Sequence, residues 1–332
     1  MSGTPAPTAA PATRVLLLGG TGTIGRATAR ALVARGHAVL APVRPASRRF
    51  ELAGVQWSEV DLAADPDAAR TLLRETSCDA VVSCLASRTG APADAWAVDH
   101  AVHGRWLRAA RETGVPRWLQ LSAICLQKPR LVFQHAKLAF EEELRGSGLA
   151  WSIVRPTAYF KSLSGQVDRV RAGRPFLVFG DGTLTACKPI ADEDLAEYLA
   201  DRLAEPASAG QVLPIGGPGP ALTPRDQARL LQDLLGRPVP LKHVPVAMMD
   251  AICAGLGLAA RLVPPLAAKA EFARIGRYYA TESMLVWDSS AGRYDAHATP
   301  STGARTLADH YAALLAGRAV HERGEHAVFN QP

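Results

Sequence analysis

"RVLLLGGTGTIGRATARALVARG", Arg14 to Gly36, runs from a short apolar strand through a glycine-rich turn into a helix that stops at glycine. Within it, Gly19, Gly22 and Gly25 form Gly-x-x-Gly-x-x-Gly, with Thr21, Thr23 and Ile24 between and beside them. Glycines at a strand–helix junction let the backbone come close to a pyrophosphate, and the first amides of the helix face its charge. Alone the motif is weak evidence. Here it has the strand before it and the helix after it, and further strand–helix units follow.

Those units are read outward from the motif. "HAVLAPVR" (37–44) and "GVQWSEVDL" (54–62) are strands, and "PDAARTLLRET" (66–76) is a helix. "CDAVVSCLA" (78–86) is a strand, "AWAVDHAVHGRWLRAARETG" (95–114) one long helix, and "PRWLQLSA" (116–123) a strand. "FQHAKLAFEEELRGSG" (133–148) and "AWSIVRP" (150–156) repeat the pattern. Such alternation implies parallel β-α-β units with right-handed crossovers. After Pro156 it breaks down. "GRPFLVFGDGTLTACKPI" (173–190) reads as an irregular or hairpin insertion turning at Gly180-Asp181-Gly182. "ADEDLAEYLADRLAEP" (191–206) is a helix with Asp192 as N-cap. "QVLPIGGPG" is a last strand, and "LTPRDQARLLQDLLG" opens a helix-rich remainder, with Thr223 as cap and Pro224 at the first helical position. The expected class is α/β: a Rossmann-type doubly wound parallel sheet with a smaller, helix-rich C-terminal cap. Residues 14–158 and 186–216 form the dinucleotide-binding domain, and 159–185 and 217–332 the substrate-binding cap. The Pro/Ala/Thr-rich residues 1–13 read as a disordered tail, without the apolar core of a signal peptide.

Bulk properties narrow the partners. The 332 residues are 48% hydrophobic, and 37 basic residues against 31 acidic ones leave a net charge of +6. No long basic block with interleaved aromatics argues for nucleic acid, whereas a mild positive excess suits an anionic small ligand. The five cysteines show no metal-ligand spacing and read as reduced thiols of a cytoplasmic protein. No run approaches the roughly 18 apolar residues of a spanning helix. The nearest, Val244 to Pro265, is read as a core-facing cap helix. The other reading makes Met248, Met249, Ile252, Leu256 and Leu262 a lid or a contact with a membrane surface.

The cofactor expectations follow the strand ends. An acidic residue after the second strand would hold the 2′-hydroxyl of NAD; Arg44 stands there, with Arg48 and Arg49 close by, which points to the 2′-phosphate of NADPH. Asp61 and Leu62 are placed at the adenine, and Leu85, Ala86 and Ser87 along the cofactor ribose. Arg155, Pro156 and Thr157 end the sixth strand beside the nicotinamide. Ser122 closes the fifth strand, where either a catalytic hydroxyl or a hydroxyl satisfying local backbone can sit.

"VFQHAK", Val132 to Lys137, carries the anomaly. A reductase of this type has Tyr-x-x-x-Lys; here the lysine is Lys137 and the tyrosine is replaced by Phe133. Residues four apart share a helix face, so the two side chains point together. Lys137 is assigned to the nicotinamide ribose. Tyr159, just beyond the sixth strand, is the spare phenol and an alternative proton donor.

"LSAICLQKPRLVFQHAKLAFEEEL" (121–144), "IVRPTAYFKSLSGQV" (153–167), "FGDGTLTACKPI" (179–190), "QVLPIGGPGPALTPRDQ" (211–227), "IGRYYATESMLVWD" (275–288) and the tail "ERGEHAVF" (322–329) resemble the divinyl chlorophyllide a 8-vinyl-reductases, atypical members of the short-chain dehydrogenase/reductase superfamily. The resemblance runs from about Arg14 to Phe329, and that family has phenylalanine four residues before the lysine, as here. It implies NADPH-dependent reduction of the 8-vinyl group of a magnesium tetrapyrrole, divinyl chlorophyllide or its protochlorophyllide precursor, to ethyl. It accounts for Phe133, since hydride added to a vinyl conjugated with the macrocycle leaves no localised oxyanion for a tyrosine to protonate. The pigment site then expected is apolar, with Phe160, Phe176, Phe179, Tyr278, Tyr279 and Trp287 as candidate walls, each more readily read singly as core packing, Lys128, Lys161 or Lys188 as candidates for the propionate, each more readily read as a solvated charge, and His135 or His243 as remote candidates for magnesium. Two other readings stay open: an NADP-sensing regulator of NmrA type without turnover, and a reductase of the same superfamily acting on another substrate.

Overall fold

In a computed structural model, residues 13–318 are described apart from 46, 48, 63, 64 and 264. Arg48, the tail motif 322–329 and nearly all of the N-terminal tail lie outside the described residues. The strands are β1 (Arg14–Leu18), β2 (Ala38–Val43), β3 (Val55–Glu59), β4 (Ala80–Ser83), β5 (Arg117–Leu121), β6 (Ala150–Pro156), β7 (Phe176–Phe179), β8 (Gln211–Ile215), β9 (Leu241–Val244), β10 (Val286–Asp288) and β11 (Arg293–Asp295). The helices are α1 (Thr23–Ala34), α2 (Ala68–Thr76), α3 (Pro92–Ala95), α4 (His103–Glu112), α5 (Val132–Arg145), α6 (Phe160–Leu163), α7 (Val167–Arg171), α8 (Asp192–Ala204), α9 (Pro224–Leu235), α10 (Val246–Leu262), α11 (Leu266–Thr281) and α12 (Leu307–Leu315).

Seven parallel strands form one sheet in the order β3-β2-β1-β4-β5-β6-β8. Strand alternation splits its side chains between two cores. Val15 and Leu17 face α1 and α8 with Leu32, Leu195 and Leu199. Leu16 and Leu18 face the other side with Trp106, Leu107, Phe140 and Leu144 of α4 and α5. A sheet covered on both faces needs apolar residues at consecutive positions, which explains the unbroken "VLLL". Burying each large side chain completely contributes about 2 kcal/mol, so Trp118 and Phe140 fix where α5 lies on the sheet.

A further core, with Phe160, Val170, Phe176, Val178, Leu231 and Tyr311, assembles α6, α7, β7, α9 and α12. The segment 173–190 is no hairpin: β7 pairs in parallel with the distant β9, joining Phe176 to Leu241 and Phe179 to Val244. Two caps were assigned from sequence. Thr223 does cap α9, its side chain accepting from the Asp226 amide. Asp192 does not cap α8; Ala191 holds that position in extended conformation and Asp192 is the first helical residue. The expected single helix over 95–114 is broken by a π-turn, Trp96–Val102, between α3 and α4. The expectation of a core-facing helix near 244–265 is also overturned, since α10 has no buried residue.

Just after the π-turn, His103 is 1% exposed. Its Nδ1 lies 2.8 Å from the Val98 carbonyl, which only accepts, so Nδ1 carries the hydrogen and Nε2 accepts from Ser83 Oγ at 2.9 Å. Burial, aided by the nearby Lys137 charge, pushes the imidazole down to about 4. The unfolded chain therefore binds a proton that the folded chain refuses between about pH 6.5 and 4. Stability should fall across that window by about 3 kcal/mol as pH drops. Urea midpoints measured against pH should show that slope, and His103→Gln should flatten it; an equal slope in both proteins would assign the acid sensitivity elsewhere.

Candidate cofactor and active site

The loop between β1 and α1 is built as a cradle. Gly22 caps α1 without a side-chain hydrogen bond, and no acidic residue sits in the first turn. The first amides of the helix are thus left for an outside anion. Gly19 has φ +76°, and a Cβ there would fall 2.6 Å from the Leu85 amide nitrogen. A Cβ on Gly25 would fall 2.1 Å from the Gly19 carbonyl oxygen. The glycines are therefore required by close backbone approach, and the residues fit a dinucleotide pyrophosphate.

At the rim, Arg44 is exposed and makes no ion pair among the described residues. Arg49 pairs with Glu59 and is partly neutralised. Asp61 is exposed at the end of β3, and the Leu62 carbonyl accepts from Arg105.

The loop after β4 leads to a residue that sequence reading missed. Ser87 is buried, and its amide donates to Asp99 Oδ1 at 3.0 Å. Asp99 is 1% exposed, and the same oxygen takes Lys137 Nζ at 2.9 Å. Its second oxygen, Oδ2, is buried without a hydrogen-bond partner. Asp99 lies on the π-turn, a distortion that commonly re-aims one side chain at a functional site. Leu85 and Ala86 stay accessible, and the Leu85 amide points to Ser83 Oγ at 3.4 Å. Lys137 is thus no solvated surface lysine: it stands 13% exposed on a buried carboxylate. Phe133, one turn earlier, packs partly buried against Ile124, Cys125, Leu131, Ile275 and Tyr278.

A second buried carboxylate, Glu141, gathers other residues expected at the site. Ser122 Oγ donates to Glu141 Oε1 at 2.6 Å, which favours its local rather than catalytic reading. Arg155 Nε donates to Glu141 Oε1 at 3.2 Å, and its Nη2 to Oε2. Pro156 and Thr157 are buried, and Thr157 spends its amide on the Ile215 carbonyl and its hydroxyl on the Lys188 carbonyl. Those two Thr157 donors are not available to a carboxamide. Tyr159 is half-buried against the sheet core, and burial holds its phenol well above the usual range.

Several expected pigment contacts are corrected. Lys128 pairs with Glu282 at 2.8 Å and lies 4.2 Å over the Trp287 ring, so both are committed to each other. Lys188 donates to the Thr299 carbonyl at 2.8 Å and to Ser301 Oγ at 3.1 Å, joining the segment before α8 to residues 299–301. Phe160, Phe176 and Tyr278 are core residues rather than walls. Phe179 and Lys161 are half-buried, while Tyr279 is exposed. His243 Nδ1 donates to the Gly180 carbonyl at 2.8 Å, and His135 is exposed.

A family model for NAD(P)H-binding proteins matches residues 19–206. A divinyl chlorophyllide a 8-vinyl-reductase of Oryza sativa subsp. indica is 45% identical over 96% of this chain and 82% of its own. The Arabidopsis thaliana reductase of that name is 42% identical over 94% of this chain and 79% of its own.

The chain belongs to the divinyl chlorophyllide a 8-vinyl-reductase family.

Solved structures agree on the fold. A Burkholderia cenocepacia protein described as a putative epimerase superposes with a TM-score of 0.66 at 18% identity, over 92% of this chain and 98% of its own. A Thermus thermophilus UDP-glucose 4-epimerase with NAD gives 0.56 at 21% identity, over 70% and 86%. As a vinyl-reductase family member with this cradle, the chain is an oxidoreductase that takes a nicotinamide cofactor.

The ion pair at its centre can be measured. Removing one partner strands the other as a buried charge, so Asp99→Ala and Lys137→Met should each destabilise by about 3 kcal/mol. The double variant should lose clearly less than the sum. A urea double-mutant cycle checks this; strict additivity would mean that the two charges do not support each other.

Proposed function

We propose that this protein reduces the 8-vinyl group of divinyl chlorophyllide a, or of divinyl protochlorophyllide a, to ethyl, using NADPH. The observation that supports it most is the pairing of Lys137 with buried Asp99 beside Phe133: a cofactor-holding lysine is set precisely, while the oxygen acid of a carbonyl reductase is replaced by an apolar ring. Within the fold, 14–158 and 186–216 hold the cofactor, and 159–185 with 217–332 hold the pigment.

The cofactor supplies a hydride when bound. The amides at the start of α1 would receive its pyrophosphate, and Arg44 would receive the 2′-phosphate through charge-assisted hydrogen bonds. Lys137 Nζ, oriented by Asp99, would bind the nicotinamide ribose. Asp99 also holds the Ser87 amide, so the lysine and the loop after β4 are fixed together. Phe133 gives the reacting end an apolar wall that excludes water.

The reading extends to place. All five cysteines are free thiols, which suits the reducing cytoplasm. No helix among the described residues is long and apolar enough to cross a membrane. Met248, Ile252, Leu258 and Leu262 of α10 are 44% to 82% exposed, and at about 100° per residue they fall within roughly a third of the helix circumference. Arg261 and Lys269 stand nearby, so this face suits peripheral contact with an anionic membrane surface, from which a lipophilic pigment is drawn.

Mixed with NADPH and divinyl chlorophyllide a, the protein should shift the pigment's Soret band to the blue as the vinyl leaves conjugation, with an 8-ethyl product. Cofactor binding without any shift would favour a regulator of NmrA type instead. Arg44→Ser should weaken NADPH by about tenfold, the worth of one charge-assisted bond, and leave NADH nearly unchanged. Equal losses for both cofactors in a fluorescence titration would remove Arg44 from the 2′-phosphate.

A further inference from the structure

Adding hydride to a vinyl group leaves an electron-rich carbon that still needs a proton, and position 133 has no phenol to give it. The structure brings another phenol to the same place from the cap. Tyr278 and Tyr279 are consecutive on α11, and their rings meet almost at right angles, 89°, with centroids 5.7 Å apart. Tyr278 is 3% exposed, and its Oη donates to the carbonyls of Cys125 at 2.9 Å and Lys128 at 3.1 Å. Those bonds pin α11 to the segment that follows β5. Tyr279 brings its own phenol to the same residue, Cys125. It is 43% exposed, and its Oη lies 4.0 Å from Cys125 Sγ, its one hydrogen-bond partner among the described residues. Cys125 belongs to the buried cluster against which Phe133 packs. Cys125 therefore brings the Tyr279 phenol to the cluster that Phe133 joins.

We propose that Tyr279 is the proton donor of the reaction, restoring from α11 the phenol that α5 lacks. The proposal rests on the vinyl-reductase reading above. The vinyl π bond breaks, and its terminal carbon gains the hydride. The inner carbon forms its new C–H bond with the proton of Tyr279 Oη, and the phenolate is reprotonated by water. Burial and neighbouring Cys125 hold this phenol above its ordinary range, so it carries its proton at neutral pH. Tyr159 is the other phenol near the strand ends, just beyond the close of β6. However, its ring is packed against the sheet core.

Tyr279 is exposed enough that Tyr279→Phe should fold normally. With NADPH and divinyl chlorophyllide a, wild type and variant are compared for NADPH affinity, turnover and labelling in deuterium oxide. The wild-type product should carry one deuterium on the inner carbon, in a single configuration. Tyr279→Phe should keep the wild-type NADPH dissociation constant, lose turnover by about 100-fold and give mixed configuration in its residual product, because water then protonates either face. A variant within about threefold of the wild-type rate, with configuration preserved, overturns the proposal. So does a loss confined to Tyr159→Phe. Wild-type protein that binds NADPH yet forms no ethyl product overturns the vinyl-reductase reading itself, and this proposal with it.

Discussion

The ion pair between Asp99 and Lys137 holds together the parts that make the site. A carboxylate with 1% exposure is costly to bury, by several kcal/mol, unless a counter-charge and hydrogen bonds meet it. Asp99 Oδ1 meets both needs with Lys137 from α5 and the Ser87 amide from the loop after β4. Three segments far apart in sequence are thereby fixed at one atom. A parallel chain supports them: the Leu85 amide reaches Ser83 Oγ, Ser83 donates to His103, and His103 donates to the Val98 carbonyl inside the π-turn. The π-turn and the loop that flanks the cofactor are therefore one hydrogen-bonded unit.

One helix face serves both the chemistry and its foundation. Phe133, Lys137 and Glu141 follow at intervals of four on α5, so they line one side of the helix. Phe133 meets the cap-side cluster, Lys137 meets Asp99, and Glu141 is buried under the ends of β5 and β6, where Ser122 and Arg155 converge on it. A carboxylate with those partners clamps two strand ends to the helix. Small movements of α5 would disturb the lysine and the strand ends together.

The cap is joined to this helix rather than merely placed above it. Glu271 of α11 is buried and accepts the Val132 amide at the first residue of α5, at 2.9 Å. Tyr278, two turns further on, holds the segment between β5 and α5. The α11 helix thus spans the same stretch of chain that positions Phe133 and Lys137. The neighbouring α10 contributes its apolar residues outward, so its packing with α11 leaves a face that the described residues do not cover.

Sequence by itself determined the parallel sheet, the cradle and the family. Strand and helix periodicity, the glycine spacing and the long motifs are local properties, written in consecutive residues and enforced by backbone sterics and burial on both faces of the sheet. It also singled out Phe133 and Lys137 through their spacing on one helix. Only the tertiary structure decided which charges meet. Asp99 sits 38 residues before Lys137, in what reads as an ordinary helix, and nothing in its neighbours announces the π-turn. The same holds for Glu141, for the engagement of Lys128 and Lys188, and for β7 pairing with β9. A lysine in sequence is equally compatible with solvent, a pigment carboxylate or a buried acid. Which of these it meets depends on the three-dimensional contest between the cost of burying a charge and the partner that offsets it, and that contest is settled by residues far away along the chain.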